Sequence, residues 1–223
     1  MSSTIGQETS SVMEDYIKAI FNLIQKKGKA NTNDLAKSLS VSAPTVTQMV
    51  KRLVDLKLVT HEPYKGVALT ESGNKMALET IRHHRLIEQY LYEALGVPWD
   101  KVHNEAEKLE HVISEDLEKR MAEALNHPTH DPHGSPIPTK DLILESEDLC
   151  LLTDLEEGTK GTISEVPDED PKLLQYFDEL GIKPDTKFTL IKIEPYGGSI
   201  VLEIDGNNVN VGSEAASQIS VKT

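Results

Sequence analysis

Apolar residues in the first part of the chain recur at spacings of three and four positions, which is the period of an amphipathic helix. This pattern predicts helices over residues 12–25, 31–39 and 42–53. Ser42 suits the N-cap of the third helix, and Pro44 falls in its first turn, where a missing N–H costs nothing. The chain is therefore predicted to begin with three helices, the last two joined by a tight turn.

Two predicted strands follow, over residues 58–61 and 67–70, and they flank a turn that carries Tyr64 and Lys65. Two helices joined by a tight turn and followed by a hairpin are typical of a winged helix-turn-helix domain. Its outward hydroxyl and amide side chains suit hydrogen bonds to base edges, and its Lys and Arg side chains suit phosphate contacts. The candidate DNA-binding residues are Ser42, Pro44, Thr45, Thr47, Gln48, Lys51, Arg52, Tyr64 and Lys65. A helical hairpin without a DNA-binding role is the alternative interpretation.

Histidines and glutamates share one face of each of the next two predicted helices, over residues 81–95 and 98–125. The face holds His84 and Glu88 on the first helix, and His103, Glu107, Glu110 and His111 on the second, beside an apolar stripe of Val102, Ala106, Leu109, Ile113, Leu117 and Met121. Imidazoles and carboxylates grouped between packed helices favour a divalent cation. The alternative is an ordinary solvated acidic face.

The C-terminal part changes to short strands separated by glycine and aspartate turns. Strands are predicted at 150–152, 160–165, 187–194, 199–204 and 207–211, with one helix at 171–180. This pattern predicts a small SH3-like β-barrel with no catalytic constellation. A proline-rich connector at 126–139 precedes it, and its three histidines and one aspartate are either further metal ligands or part of a polar linker.

Charge is distributed unevenly over the 223 residues, whose net charge is −14. Residues 1–82 carry 11 Lys/Arg against 8 Asp/Glu, and the remainder carries 12 against 29. Residues 1–82, which we call the head, are mildly basic, and the remainder, which we call the body, is acidic. This distribution favours a polyanion as the partner of the head and cations as ligands of the body. The lone Cys150 excludes an internal disulfide framework and a cysteine-rich metal site. With no apolar run near the ~20 residues of a membrane helix and no secretory signal, we expect a cytoplasmic protein without a membrane partner.

These motifs together resemble those of the metal-dependent transcriptional repressors of the diphtheria toxin repressor and manganese transport regulator type. The matching segments are Met13-Glu14-Asp15-Tyr16, Ser42-Ala43-Pro44-Thr45-Val46-Thr47-Gln48, His84-Arg85-Leu86, Lys101-Val102-His103-Asn104-Glu105-Ala106, Glu110-His111-Val112 and Pro132-His133-Gly134. The resemblance implies an α+β multidomain chain. Its parts would be a winged helix-turn-helix domain (1–74), a helical metal-binding and dimerisation domain with the connector (75–147), and an SH3-like, FeoA-type β-barrel (148–223).

The resemblance also implies a primary metal site. Carried over to this sequence, its ligands are Asp15, Glu107, Glu110 and His111, with a contribution from His84. The iron-responsive branch has Met and Cys at the first two of these positions, whereas the manganese-responsive branch has carboxylates, as here. Hard oxygen ligands suit Mn²⁺, so Mn²⁺ is the expected cofactor and Fe²⁺ the alternative. Lys18 stands where some members have a Glu that completes a two-metal cluster, and a cation there disfavours a second adjacent Mn²⁺.

A second, ancillary site is implied in one of two forms. One family pattern uses His84, Glu88 and His103 with an acidic residue from the barrel. The other uses a glutamate with a Cys and a His from the connector, which here gives Glu88, Asp131 and His133, with Asp170 from the barrel. Asp131 stands where that pattern has Cys, and the sequence leaves both forms open.

The expected mechanism is that a cation ties the DNA-reading head to the body of a homodimer and so enables binding to palindromic operator DNA. A metallohydrolase built on the same cluster is the main rival, although no nucleophile motif or phosphate-binding loop supports it. A DNA-binding protein whose acidic helix is only a dimer interface is the second rival. We expect a regulator, with no enzymatic activity and no small-molecule substrate.

Overall fold

The computed structural model describes residues 2–62, 66–145 and 147–223, and for residues 2–10 and Glu62 it describes the backbone alone. The chain forms two compact units. One comprises Met1–His83 with Pro138–Ile143, and the other comprises His84–Ile137 with Leu144–Thr223. No helix in the described ranges combines the length and apolar character that a bilayer crossing requires.

The first unit begins with three helices: α1 (Ser2–Lys27), α2 (Thr32–Ser38) and α3 (Ala43–Asp55). Asn31 caps α2 by accepting a hydrogen bond from the Asp34 N–H at 2.9 Å, and Ser42 caps α3 by accepting one from the Thr45 N–H. The apolar faces of the helices form the core, which includes Ile17, Ile20, Leu35, Val46 and Leu53. The predicted helix-turn-helix is confirmed, and α1 begins earlier than predicted.

A two-stranded antiparallel hairpin, β1 (Val59–Glu62) and β2 (Gly66–Leu69), follows α3. It joins the helices through the Val67 N–H, which donates to the Ala30 carbonyl at 2.8 Å. Gly66 has φ +94°, and a Cβ there would lie 2.3 Å from the Ala30 oxygen, so this close approach requires glycine. The predicted wing is present, while Tyr64 and Lys65 at its turn lie outside the described residues.

Three helices follow: α4 (Glu71–Glu93), which runs from the first unit into the second, α5 (Trp99–Leu109) and α6 (Glu115–Ala124). The prediction of one continuous helix over residues 98–125 is wrong. α5 ends at Leu109, and Ser114 starts α6 by accepting a hydrogen bond from the Leu117 N–H. The acidic first turn of α6 adds to this cap. In consequence the apolar stripe does not continue, since Val102 and Ala106 are buried whereas Leu109 and Leu117 are exposed.

The C-terminal part of the second unit is a six-stranded antiparallel sheet in the order β3-β8-β4-β5-β6-β7. Its strands are β3 (Cys150–Leu151), β4 (Lys160–Glu165), β5 (Lys187–Ile193), β6 (Ile200–Ile204), β7 (Asn207–Val211) and β8 (Ser220–Lys222), with helices α7 (Pro171–Glu179) and α8 (Ser213–Ala216). In the part of the chain that the structure describes, β3 and β7 do not pair, so the sheet is not closed and the predicted barrel is not confirmed. Trp99 of α5 belongs to the same hydrophobic core as Leu174 and Phe177 of α7, which joins the sheet to the helices.

Candidate metal centre

Four side chains from α4, α5 and the loop before α7 lie close together, with ligand atoms within 4.8 Å of one another. His84 and Glu88 lie one turn apart on α4, and His84 Nε2 is 3.0 Å from Glu88 Oε1. His103 Nδ1 on α5 lies 3.3 Å from the same oxygen and 3.5 Å from Asp168 Oδ2. It also lies 3.1 Å from His84 Nε2. Donor atoms bound at about 2.1 Å to one octahedral ion are about 3 Å apart, so this spacing fits a cation.

The other nitrogen of His84 faces the end of α5. His84 Nδ1 contacts the Glu110 carboxylate and lies 3.8 Å from Glu107 Oε1. Glu110 is the C-cap of α5, and His111 Nε2 is 3.3 Å from Glu110 Oε1 in the turn that follows. The break between α5 and α6 therefore leaves Glu110 and His111 in a turn next to Glu107, where the sequence predicted a single helical face.

The connector contributes Asp131 and His133 through a turn. Asp131 Oδ1 accepts hydrogen bonds from the backbone N–H groups of His133 at 2.8 Å and Ser135 at 3.0 Å. The connector is tied to β4, because the Val166 N–H donates to the His133 carbonyl at 3.0 Å. Gly134 has φ +90°, and a Cβ there would lie 1.8 Å from the Ser164 oxygen, so the connector reaches β4 through a position that only glycine fills without strain.

His133 is oriented by its surroundings. Its Nε2 lies 2.9 Å from the Trp99 carbonyl, and its ring stacks on the Trp99 indole with centroids 5.8 Å apart. Because a carbonyl only accepts, Nε2 carries the proton and the lone pair of a neutral ring is on Nδ1. That nitrogen is 3.8 Å from Glu88 Oε2, whereas His84 Nε2 contacts the other oxygen, Glu88 Oε1.

Three buried donor atoms in this region lack a hydrogen-bond partner among the described residues: Glu88 Oε2, Asp131 Oδ2 and His133 Nδ1. All three side chains are 0% exposed. Buried polar atoms are normally satisfied, because each unsatisfied one costs about 1–3 kcal/mol. Two carboxylate oxygens and an imidazole nitrogen within 4.8 Å of one another therefore fit a divalent cation.

The ionisation equilibria of the metal-free cluster fit the same interpretation. Burial lowers the pKa of His103, but hydrogen bonds to Asp168 and Glu88 outweigh burial and raise this pKa to about 10. For His133, burial is again outweighed, here by the Glu88 carboxylate, and the pKa rises to about 9. Burial and the negative charge of Glu88 raise the pKa of Asp131 to about 7. In the metal-free protein, protons bound by these side chains therefore supply the positive charge that a bound cation would supply.

Sequence reasoning missed Asp168. The prediction named Asp170, but that residue is the N-cap of α7, and its Oδ1 accepts from the Lys172 N–H at 2.9 Å and the Leu173 N–H at 3.4 Å. The structure brings Asp168, and not Asp170, to His103. One signal was available, because an Asp directly before Pro171 suits an N-cap, whose carboxylate is committed to the backbone.

The remaining predicted residues lie in the first unit. Asp15 is half-buried on α1. The candidate DNA-binding residues on α3 are exposed, namely Ser42, Pro44, Thr45, Thr47, Gln48, Lys51 and Arg52. Thr47 donates its hydroxyl to the Ala43 carbonyl at 3.0 Å, so towards solvent it presents an acceptor oxygen and a methyl group.

Comparison with known proteins gives a consistent result along the chain. Residues 8–67 match the iron dependent repressor N-terminal DNA binding domain, residues 70–139 the iron dependent repressor metal binding and dimerisation domain, and residues 150–223 the FeoA domain. The iron-dependent repressor IdeR of Mycobacterium leprae (strain TN) is 31% identical over 221 residues, which covers 94% of this chain and 96% of that protein. The chain belongs to the iron-dependent repressor family.

The names of some similar proteins refer to iron, and those of others refer to manganese. The HTH-type transcriptional regulator MntR of Bacillus subtilis (strain 168) is 39% identical over 106 residues, which covers 48% of this chain and 74% of that protein. A solved structure titled manganese-dependent transcriptional repressor complex with manganese superposes with a TM-score of 0.86 at 36% identity, and covers 94% of this chain and 98% of that one. The resemblance deduced from the motifs is confirmed.

Proposed function

We propose that this protein is a metal-dependent transcriptional repressor that controls metal-ion homeostasis. The observation that carries the proposal is the set of three buried, unpartnered donor atoms on Glu88, Asp131 and His133, in a chain that also holds an exposed recognition helix. A cation bound in the body would raise the population of the conformation that binds operator DNA. Relatives that span most of the chain are named as repressors, which supports a regulator and not an enzyme.

We propose Asp15, Glu107, Glu110 and His111 as the primary metal site. Support comes from the resemblance and from the turn after α5, where His111 Nε2 lies 3.3 Å from Glu110 Oε1. When bound, the cation would neutralise the carboxylates and hold them together. His84 Nδ1, which contacts Glu110, would orient that carboxylate.

The proposed cation is Mn²⁺, with Fe²⁺ as the alternative. The donor atoms are carboxylate oxygens and imidazole nitrogens, with no sulfur ligand, and hard donors of this kind suit Mn²⁺. One ancillary pattern of the family has a Cys at the position of Asp131. This chain therefore has a hard carboxylate where that pattern has a soft sulfur ligand. The manganese-bound repressor that superposes over 94% of the chain supports the same choice.

Operator DNA is the proposed partner of the head. Thr45, Thr47 and Gln48 would read base edges from the major groove, and Lys51 and Arg52 would contact phosphates. A homodimer would place two such heads on a palindrome. We keep the division into residues 1–74, 75–147 and 148–223 as a proposal. It is supported by the three family matches, and an SH3-like topology for the last part is supported by its strand number and its FeoA match.

The test is fluorescence anisotropy with a palindromic operator selected from random DNA. The full chain would be titrated in chelator, Mn²⁺, Fe²⁺ and Zn²⁺ in turn. Tight binding with metal and weak binding in chelator is expected, with Mn²⁺ effective at the lowest free concentration. Asp15→Ala is expected to weaken Mn²⁺-dependent binding by about tenfold or more, the size of effect that losing a metal-site group commonly has.

Exposed Glu79, on α4, supplies the matched control: Glu79→Ala should bind operator as the unmodified protein does. Circular dichroism would establish that both variants fold. Equal operator binding in chelator and in Mn²⁺ would refute the metal switch. Normal Mn²⁺-dependent binding by Asp15→Ala would refute the assignment of the primary site.

A further inference from the structure

The C-terminal sheet carries a groove that is lined by lysines and threonines. The groove has a volume of about 530 Å³, and its lining includes Lys160 and Thr162 of β4, Lys187 and Thr189 of β5, and Lys222 of β8. Successive residues of a strand face opposite sides of the sheet, and the intervening Phe188 and Val221 are buried in the core. The lysines and threonines therefore lie on the outer face of the sheet.

The strand register gathers the three lysines around Thr162. Thr162 pairs with Lys187 on one side and with Lys222 on the other, and neighbouring strands lie about 4.8 Å apart. Lys160 precedes Thr162 by two positions, so it faces the same side of the sheet. Positive charges at this spacing repel one another, and an anion between the ammonium groups would relieve that repulsion.

The structure supplies no such anion from the protein itself. In the ranges that it describes, none of these three ammonium groups has an ion-pair or hydrogen-bond partner, whereas Lys183 pairs with Asp178 and Lys192 with Glu194. Residues 148–223 contain six lysines and no arginine against fifteen acidic residues. Half of the cations in this acidic part of the chain are thus gathered, unpaired, in one groove.

We propose that the groove binds a compact polyvalent anion, a small molecule with two or more phosphoryl or carboxylate groups, as an effector and not as a substrate. Its volume falls within the range of about 300–1,000 Å³ that is common for small-molecule sites. Glu203, the cross-strand partner of Thr189, and Asp205 line the β6 end of the groove. These carboxylates would repel a long polyanion that crossed the sheet, while the lysine end remains open to a compact one.

Each side chain of the lysine end has a direct role. The three ammonium groups would donate charge-assisted hydrogen bonds to the anion, and the Thr162 hydroxyl between them would donate another. The floor beneath them is tightly packed, because a Cβ at Gly161 would lie 2.8 Å from the Lys222 carbonyl oxygen and 2.9 Å from the Phe188 ring. The lysines therefore project from strands that are already held close together.

The test is isothermal titration calorimetry of the full chain, freed of metal on a chelating resin, with pyrophosphate and citrate as the two probes. One anion per protomer is expected, with a dissociation constant below about 1 mM. Lys187→Gln and Lys222→Gln should each weaken binding by about tenfold or more, since each loses a hydrogen bond between charged groups. The matched control Lys172→Gln removes an exposed lysine of α7 outside the groove and should leave the affinity unchanged.

The two probes distinguish the sources of the anion. Tighter binding of pyrophosphate would assign a phosphoryl ligand to the groove, and tighter binding of citrate would assign a polycarboxylate. Failure of the unmodified protein to bind either probe with one-to-one stoichiometry would overturn the site, and this result does not depend on whether any variant folds. Equal weakening by Lys172→Gln and Lys187→Gln, or tighter binding of the long polyanion heparin than of both probes, would also overturn it. The metal-dependent repressor proposal is independent of all these outcomes.

Discussion

At the scale of single residues, His84 is the side chain that connects the proposed sites. Its Nδ1 contacts Glu110, and its Nε2 lies 3.0 Å from Glu88 Oε1. A neutral imidazole has one lone pair, so a cation on Nε2 leaves the Nδ1–H to donate to Glu110. Occupancy of an ancillary site at Glu88 would thereby orient a ligand of the primary site, which is the usual role of a hydrogen bond to a ligating carboxylate.

The raised imidazole pKa values predict that Mn²⁺ binding releases protons. Since the pKa is about 10 for His103 and about 9 for His133, both rings are protonated at pH 7.5 in the metal-free protein. A ligating ring must lose its proton. Titration calorimetry in buffers of different ionisation enthalpy should show about one proton fewer released by His133→Ala than by the unmodified protein at saturation. Equal proton release by the two proteins would contradict ligation by His133.

The same pKa shifts set the direction of the pH dependence. Because the folded-state pKa values lie above the ordinary 6.5 of histidine, the protonated rings stabilise the metal-free fold fully below pH 6.5. This contribution is lost as the pH rises through about 9 and then about 10. Over the same window the rings become available to a cation, so Mn²⁺ affinity rises with pH.

At the scale of the elements, helix ends decide which side chains reach the site. α5 ends at Leu109 and α6 starts only after its N-cap Ser114, so that Glu110 and His111 lie in the turn between them. In the same way, Asp170 starts α7 and is held by the backbone, while Asp168 is left in the preceding loop beside His103. Two acidic residues that are two positions apart therefore have different roles.

This difference predicts that two substitutions differ in their effect on Mn²⁺ affinity. Asp170→Ala removes the cap of α7 and should lower the free energy of unfolding by about 1 kcal/mol, with little effect on Mn²⁺ affinity. Asp168→Asn removes the carboxylate that pairs with protonated His103, so it should also lower the stability of the metal-free protein, and it should weaken Mn²⁺ binding by about tenfold. Urea denaturation in chelator and Mn²⁺ titration would measure the two effects. The reverse pattern would return the ligand role to Asp170.

At the scale of the whole molecule, several large apolar side chains on or beside α4, α5 and α6 are exposed to solvent in the single chain. Tyr92, Leu95, Leu109, Val112 and Leu117 are all exposed, and Leu95 and Val112 exceed 60% with 62% and 61%. Large exposed apolar patches mark interaction surfaces, and these five side chains lie on or beside α4, α5 and α6. In a family whose matched domain is described as a dimerisation domain, the proposed use is the homodimer interface.

Leu95→Glu should therefore weaken the dimer by a factor of ten or more, because it places a charge in a dehydrated interface. Sedimentation equilibrium of the Mn²⁺-loaded protein would measure the dissociation constant. Ile191→Glu, at an exposed apolar position of β5, is the matched control and should leave the dimer intact. Equal weakening by both variants, or by neither, would place the interface elsewhere.

The fold was predicted most accurately where the signal is local. The cap at Ser42, the hairpin, and strands β4 and β7 were recognised from neighbouring residues alone, because capping and strand alternation depend on a few adjacent side chains. The break after Leu109 was missed because helical periodicity continues through it, and only the Ser114 cap competes with that pattern.

The sequence by itself determined the types of donor, the winged helix-turn-helix and the suitability of the cluster for a hard divalent cation. Tertiary structure alone decided that Asp168, and not Asp170, reaches His103, and that Glu88 presents one oxygen to His103 and the other to His133. The physical reason is that these contacts join α4, α5, the connector and the loop before α7, which are far apart in the sequence. Their relative positions follow from how Trp99 and Gly134 pack against the C-terminal sheet and its helix, and spacing along the chain carries no information about that packing.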